Sequence, residues 1–283
     1  MNSESTLKGI LNGVDLIIDE DLLPPGVRAG TKPPFYMNKT TMLNLIKKKK
    51  LAGSFKGLCE RSYAKIKDNF KTDHFRVSDT GNWVLRKELE TRHEKEVKLE
   101  RDIVALDDNW ANQVSTASGL VGSTAGKRRA IDLVRKLQSD TYQFIELKVT
   151  SDTPVAAAIE VLEYALLYIF SRKHCGSLKI PNDIPLMSAK KIELRVLAPG
   201  TYFTDQNRNR DKKLDLKWFE SALDSGIATF CKASKAGVEM DFRFLQFDKD
   251  FTWSNAKASE SGRAAFLEQL RADVNAIHPV YPD

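Results

Sequence analysis

Cysteine is scarce in this chain. Cys59, Cys175 and Cys231 stand far apart, too few and too odd a set for a disulfide framework or a zinc site with paired ligands. A reducing, cytoplasmic setting is the expectation that follows. Long apolar runs are missing too. The longest apolar stretch, Ala165 to Phe170, has the length of a core segment, well short of the roughly 18 residues that suggest a membrane span. The first residues, Met1 to Lys8, lack the basic-then-apolar pattern of a secretory signal. The four histidines, His74, His93, His174 and His278, show no H-x-x-x-H spacing, which argues against zinc hydrolysis. Gly126-Lys127-Arg128 has neither the hydroxyl nor the upstream glycine of a phosphate loop, so an NTPase is not expected. There is no internal repeat and no low-complexity tract.

What is present is an ordinary globular composition: 283 residues, 42% hydrophobic and 29% charged, enough for one large domain or two modest ones. Net charge is +6, and its distribution says more than its size. From Lys39 to Arg76 eleven Lys and Arg stand against Glu60, Asp68 and Asp73, a surplus of eight. Clustered basic charge attracts phosphates; a solvated, lysine-rich helix face is the plain alternative.

The N-terminal residues, 1 to about 38, read as irregular, punctuated by Pro24-Pro25-Gly26 and Lys32-Pro33-Pro34. Residues 39 to 75 read as mixed helical and basic. A long charged helix is expected from about Leu85 to Asp107, with Glu88/Arg92 and Glu94/Lys98 at i,i+4 and an apolar stripe of Leu99, Ile103, Leu106 and Trp110. Strands follow at about Gln113–Val121, Arg129–Val134 and Tyr142–Val149, with a polar turn from Arg135 to Thr141. Thr153-Pro154 opens a helix running to about Arg172. Lys191–Leu197 reads as a strand, Leu216–Lys232 as a helix, Glu239–Phe247 as a strand and Ser261–Ile277 as a last helix. This order predicts an α/β fold, a mixed sheet covered by helices on both faces.

Two segments carry chemistry: Arg129-Ala130-Ile131-Asp132-Leu133-Val134 and Phe144-Ile145-Glu146-Leu147-Lys148-Val149. Charges are rare in apolar strands because burying them is costly. Glu146 and Lys148 are two apart and so point to one face. If the strands form a hairpin with its turn centred on Ser139, paired positions sum to 278 and Asp132 lies opposite Glu146. Their β-carbons would then be about 5 Å apart. Two carboxylates that close repel one another unless a cation lies between them, and oxygen ligands suit Mg²⁺ or Mn²⁺. Two plainer readings stay open: a buried ion-pair cluster that only completes the sheet, and a solvated sheet edge.

The array of Asp132 followed on the next strand by Glu146-x-Lys148 resembles the PD-(D/E)xK nuclease superfamily, the restriction-endonuclease-like fold. Leu99-Glu100-Arg101-Asp102-Ile103 looks like its first helix, with Glu100 the matching acid and Glu96 the fallback. Glu160-Val161-Leu162-Glu163-Tyr164 looks like its Q/E-x-x-x-Y signature. Ile131 stands where the nominal motif has proline, and Glu160 where glutamine is frequent. The resemblance spans about residues 88 to 250, and it is the sequence of motifs, not any single one, that is specific.

The resemblance implies a restriction-endonuclease-like core at 86–283, preceded by a basic N-terminal region, 1–85, with a nucleic-acid-binding or accessory role. It implies a hydrolase, a Mg²⁺-dependent (or Mn²⁺-dependent) endodeoxyribonuclease of restriction, phage-defence or repair type. Asp132, Glu146, the backbone carbonyl of Leu147 and Glu100 would hold the metal. Lys148 would act on the attacking water or the scissile phosphate, with Glu160 and Tyr164 as accessories. Lys47, Lys48, Lys49, Lys50, Lys127, Arg128 and Arg129 would contact nucleic acid, DNA in preference to RNA. No membrane partner is expected, and a homodimer fits because many relatives cut both strands as dimers. The competing expectation is a non-catalytic nucleic-acid-binding or assembly protein on the same fold.

Overall fold

The computed structural model describes residues 5–23, 34–48, 54–72, 82–89, 95–116, 129–181, 183–205, 212–251, 253 and 262–282. In chain order its elements are α1 (Val14–Leu22), α2 (Lys39–Lys47), α3 (Phe55–Thr72), α4 (Lys95–Val104), β1 (Trp110–Ser115), β2 (Ala130–Gln138), β3 (Thr141–Leu147), α5 (Pro154–Lys173), β4 (Lys191–Ala198), β5 (Thr204–Asp205), β6 (Lys212–Lys213), α6 (Lys217–Ser234), β7 (Glu239–Gln246), α7 (Arg263–Asn275) and β8 (His278–Pro279). Six strands form one mixed sheet in the order β1-β2-β3-β4-β7-β8, and β5 and β6 form a separate two-stranded ladder.

β1, β2 and β3 run antiparallel. β3, β4 and β7 are parallel, and β8 closes the edge antiparallel to β7. Parallel neighbours need a crossover, which α5 and α6 supply. Alternation then sorts the strands' side chains onto two faces. Tyr142, Phe144, Leu194, Val196, Phe242 and Phe244 enter the larger core with α1, α2, α3, α5 and α6. Leu133, Ile145, Leu147 and Leu197 enter a smaller core with Leu99 and Ile103 of α4 and Leu270 and Val274 of α7. The sheet is thus flanked by helices on both faces, as the element order predicts. Past α7 the second face turns polar, where Gln143, Glu193, Arg195 and Asp241 link side chain to side chain beside a trough of about 320 Å³.

The N-terminal residues depart from the irregular reading. Val14–Leu22 is a helix, preceded by a 3-10 turn at Gly9–Leu11 and followed by another at Phe35–Met37. Asp15 and Asp19 interrupt the apolar pattern of the sequence, yet both are buried. Asp15 accepts from the backbone of Thr6 and Leu7, and Asp19 from that of Phe35 and Tyr36. These acids satisfy backbone N–H groups that would otherwise be orphaned. The apolar residues of α1 and α3 lie in the same core as the sheet.

The long helix expected from Leu85 is shorter. Among the described residues the helix starts at Lys95, and residues 84–89 are neither helix nor strand. The segment is bonded sideways to β1: Trp83 N–H donates to the Ser115 carbonyl at 2.8 Å, and Asn112 N–H to the Arg86 carbonyl at 3.2 Å. Glu88 therefore lies outside the helix, while Arg92 and Glu94 lie outside the described residues. Trp110 opens β1 instead of ending the helix, so the strand begins three residues before the expected Gln113. β2 continues through the expected turn to Gln138, leaving only Ser139 and Asp140 to reverse the chain.

α5 begins as expected, with the Thr153 hydroxyl accepting from Ala156 N–H at 3.1 Å and Pro154 in the first turn. By length and composition alone it is apolar enough to cross a bilayer, but nearly all of it is buried inside the fold. It contacts β3 and β4 as well as α3 and α6. α3 in turn meets α6 closely at Gly226, where a β-carbon would lie 2.5 Å from that of Phe55.

Candidate active site

β2 and β3 set the site through their register. Leu133 pairs with Ile145 and Val134 with Phe144, so paired positions sum to 278 and Asp132 faces Glu146. The shift in register falls beyond Lys136, towards the turn. Asp132 is half-buried. One of its oxygens accepts from Leu147 N–H at 2.9 Å. Glu146 and Lys148 are both buried, as expected of residues two apart on an inward face. The Lys148 ammonium lies 2.7 Å from Glu146 Oε1 and 3.0 Å from Glu160 Oε2, with Asp152 at 3.6 Å.

α5 supplies the accessory pair. Four residues separate Glu160 from Tyr164, about one helical turn, so both point the same way. Tyr164 donates to Glu146 Oε2 at 2.9 Å, while Glu160 reaches Lys148. The strand motif and the helix motif are thus joined at one place. Of the two acids expected on α4, Glu100 is the one beside the site. It is 1% exposed, its charge interacts with Asp132, and it accepts from Gln113 Nε2 at 2.8 Å. Glu96 instead ties down the loop after Lys148, accepting from Val149 N–H at 2.9 Å and Ser151 Oγ at 2.7 Å.

The electrostatics are those of too many acids around one cation. Burial, chiefly, raises the Glu100 carboxyl to about 8, helped by the charge of Asp132 and opposed by the Gln113 amide. Burial raises Asp132 to about 7 against the pull of Lys148. Glu146 is pushed well above the carboxylate range by burial, then by Asp132 and Glu160. Burial also works to raise Glu160, but Lys148 and its other partners outweigh it and hold that carboxyl low. Burial would discharge Lys148, yet Glu146 and Glu160 hold its ammonium charged. Protons therefore occupy carboxyls that a divalent cation could neutralise instead.

The donor chemistry fits such a cation: carboxylates and a backbone carbonyl are hard oxygen ligands. In this arrangement the Lys148 ammonium rests against Glu146, and among the described residues no three His, Cys, Asp or Glu are gathered to hold a metal.

The other expected residues lie elsewhere. Lys47 and Lys48 are exposed at the end of α2; Lys49, Lys50, Lys127 and Arg128 lie outside the described residues. Arg129 turns inward: its guanidinium pairs with the fully buried Glu163 and approaches Glu160 Oε1 at 4.0 Å. Part of the basic surplus on α3 is matched by α1, where Glu20 and Asp21 both pair with Arg61. Two neighbours of the site carry no mark in the sequence. Gln113 is expected there only as the start of a strand. Tyr202, after the turn at Pro199-Gly200, buries a hydroxyl without a hydrogen bond among the described residues and within the field of Lys148. Compared with family models, with curated proteins and with solved structures, the chain matches none.

Proposed function

We infer that the chain is a metal-dependent nuclease hydrolysing phosphodiester bonds, a DNA endonuclease on a restriction-endonuclease-like core. One observation carries this reading: Glu146 and Lys148 are each held by the signature pair of the next helix, Tyr164 and Glu160, with Asp132 opposite. A structural ion pair needs no such convergence of motif residues from two strands and a helix.

A bound Mg²⁺ or Mn²⁺ would act as a Lewis acid and lower the pKa of a coordinated water. Asp132, Glu146, the Leu147 carbonyl and Glu100 are the residues that would hold it. Tyr164 fixes the rotation of the Glu146 carboxyl by its hydrogen bond. Lys148, positioned by Glu160, presents a cation where negative charge grows on the attacked phosphate. Lys47 and Lys48 supply an exposed basic surface for the phosphate backbone.

One observation favours the non-catalytic alternative on the same fold: Lys148 is closed on two carboxylates, and among the described residues no metal cage is preformed. Incubating the protein with plasmid and single-stranded DNA, with Mg²⁺, Mn²⁺ or EDTA, decides between them. Nuclease action predicts cleavage that is lost in EDTA and in Asp132→Ala and Lys148→Ala. Cleavage surviving EDTA or both substitutions overturns the mechanism. DNA binding without cleavage selects the alternative.

A further inference from the structure

β1 and β2 pair at Asn112↔Leu133 and at Val114↔Ile131. The residue between them, opposite Asp132, is Gln113, and its backbone is left-handed, with φ 50°. That conformation costs about 1–3 kcal/mol for a side-chain-bearing residue and persists only where the surroundings enforce it. Glutamine also lacks the short side chain that lets Asn and Asp adopt it more readily. A strand that needed only to pair would keep Gln113 extended.

The left-handed turn coincides with one interaction. The Gln113 amide Nε2 donates to Glu100 Oε2 at 2.8 Å, so a residue of β1 holds a carboxylate of α4 next to the carboxylate of β2 that Gln113 faces. An amide suits this role because it is a neutral donor. It orients an acid without bringing a charge of its own. Bonding to one oxygen leaves the carboxylate's second oxygen as a donor atom for a cation.

We propose that Gln113 is a positioning residue of the metal site, holding Glu100 beside Asp132 so that both carboxylates serve one divalent cation. The proposal rests on the metal-site reading above, and its test separates the two. Removing an outer partner of a metal ligand typically weakens metal affinity about 10–100-fold. Mn²⁺ is titrated into the full chain by calorimetry and by electron paramagnetic resonance, for wild type, Gln113→Gly and Gln113→Asn, with thermal unfolding in EDTA measured alongside.

Glycine removes the amide and relieves the φ, so Gln113→Gly should unfold at or above the wild-type temperature while binding Mn²⁺ at least about 10-fold more weakly. A purely structural glutamine would lower the unfolding temperature and leave Mn²⁺ affinity alone. Wild-type binding with equal affinity in Gln113→Gly overturns the role of Gln113 and leaves the metal site standing. No binding by wild type at millimolar Mn²⁺ overturns the metal site and this inference with it. Should Gln113→Gly fail to fold, Gln113→Asn is judged by the same affinity criterion, since its shorter amide tolerates the backbone but falls short of Glu100.

Discussion

Tyr164 donates its phenolic hydrogen to Glu146 across 2.9 Å, with both groups buried. This bond joins α5 to the strand carrying the candidate ligand. Tyr164→Phe keeps the ring and loses only the bond. Glu146 would keep Lys148 on its other oxygen but become free to rotate. The expected outcome is a cleavage rate reduced about 10-fold or more, at a stability cost of about 0.5–1.5 kcal/mol. Rate at saturating Mg²⁺ and urea unfolding measure the two. Unchanged cleavage at lower stability would make Tyr164 a packing residue only.

Asp132 and Lys148 should respond with opposite signs in the absence of metal. Asp132→Asn removes one of several crowded acids and still offers an oxygen to Leu147 N–H, so the EDTA-treated protein should gain about 1 kcal/mol, roughly 2 °C at this chain length. Lys148→Met strips the carboxylates of their ammonium and should cost about 3–5 kcal/mol, as when one member of a buried pair is lost. Calorimetric scans of both variants in EDTA test this. Equal effects of one sign would contradict the picture of a site with excess acid.

The same crowding fixes a pH dependence. Asp132 rises from 3.8 to about 7 and Glu100 from 4.5 to about 8. Between their ordinary and raised values the folded chain binds more protons than the unfolded chain, so stability falls as pH rises through that window. In EDTA the unfolding temperature should drop from pH 5 to pH 8. Ligation requires the deprotonated acids, so the stabilisation added by Mg²⁺ should grow over the same interval. Scans at pH 5, 6, 7 and 8 with and without Mg²⁺ test both slopes.

Gly226 poses a contest of magnitudes. Alanine is favoured over glycine inside a helix by about 1 kcal/mol. Here the added β-carbon would meet Phe55 at 2.5 Å and its backbone carbonyl carbon at 2.8 Å, and backbone cannot move aside cheaply. Overpacking of that kind costs about 1–3 kcal/mol. Gly226→Ala should therefore destabilise, by up to about 2 kcal/mol net in urea unfolding. A stabilised variant would show that α3 can slide along α6.

Lys47 and Lys48 bear on substrate binding. If they neutralise DNA phosphates, Lys47→Gln with Lys48→Gln lowers the slope of log affinity against log salt by about 0.9 for each phosphate no longer neutralised. Fluorescence anisotropy at several salt concentrations gives that slope. An unchanged slope removes these two residues from the DNA surface.

The central hairpin is legible in the sequence because alternation fixes which residues share a face. Its turn is not centred on Ser139: Ser139 and Asp140 reverse the chain with Gln138 opposite Thr141, and the register shift between Lys136 and Gln138 is what brings Asp132 opposite Glu146. α5 is equally legible from Thr153 and Pro154. What stays hidden depends on partners distant in the chain. Glu88 sits among charges that look helical, but its backbone is claimed by Asn112. Asp15 and Asp19 look like interruptions because their role as acceptors emerges only once Thr6 and Tyr36 fold over them. Arg129 reads as part of a basic patch until Glu163, from α5, neutralises it. Gln113 carries no signal at all, since a backbone angle is not written in a residue's identity.

The close approach of Phe55 to Gly226 also sets an order of events at the ribosome. α3 emerges early, but the surface that covers it belongs to α6 and is synthesised much later. At about 5–20 residues per second the wait is on the order of ten seconds. Throughout it, Phe55 lacks Phe219 and Tyr63 lacks Phe230, the rings of α6 that they meet in the finished fold. Ribosome-bound chains halted before α6 should therefore be markedly more sensitive to protease than chains released at full length.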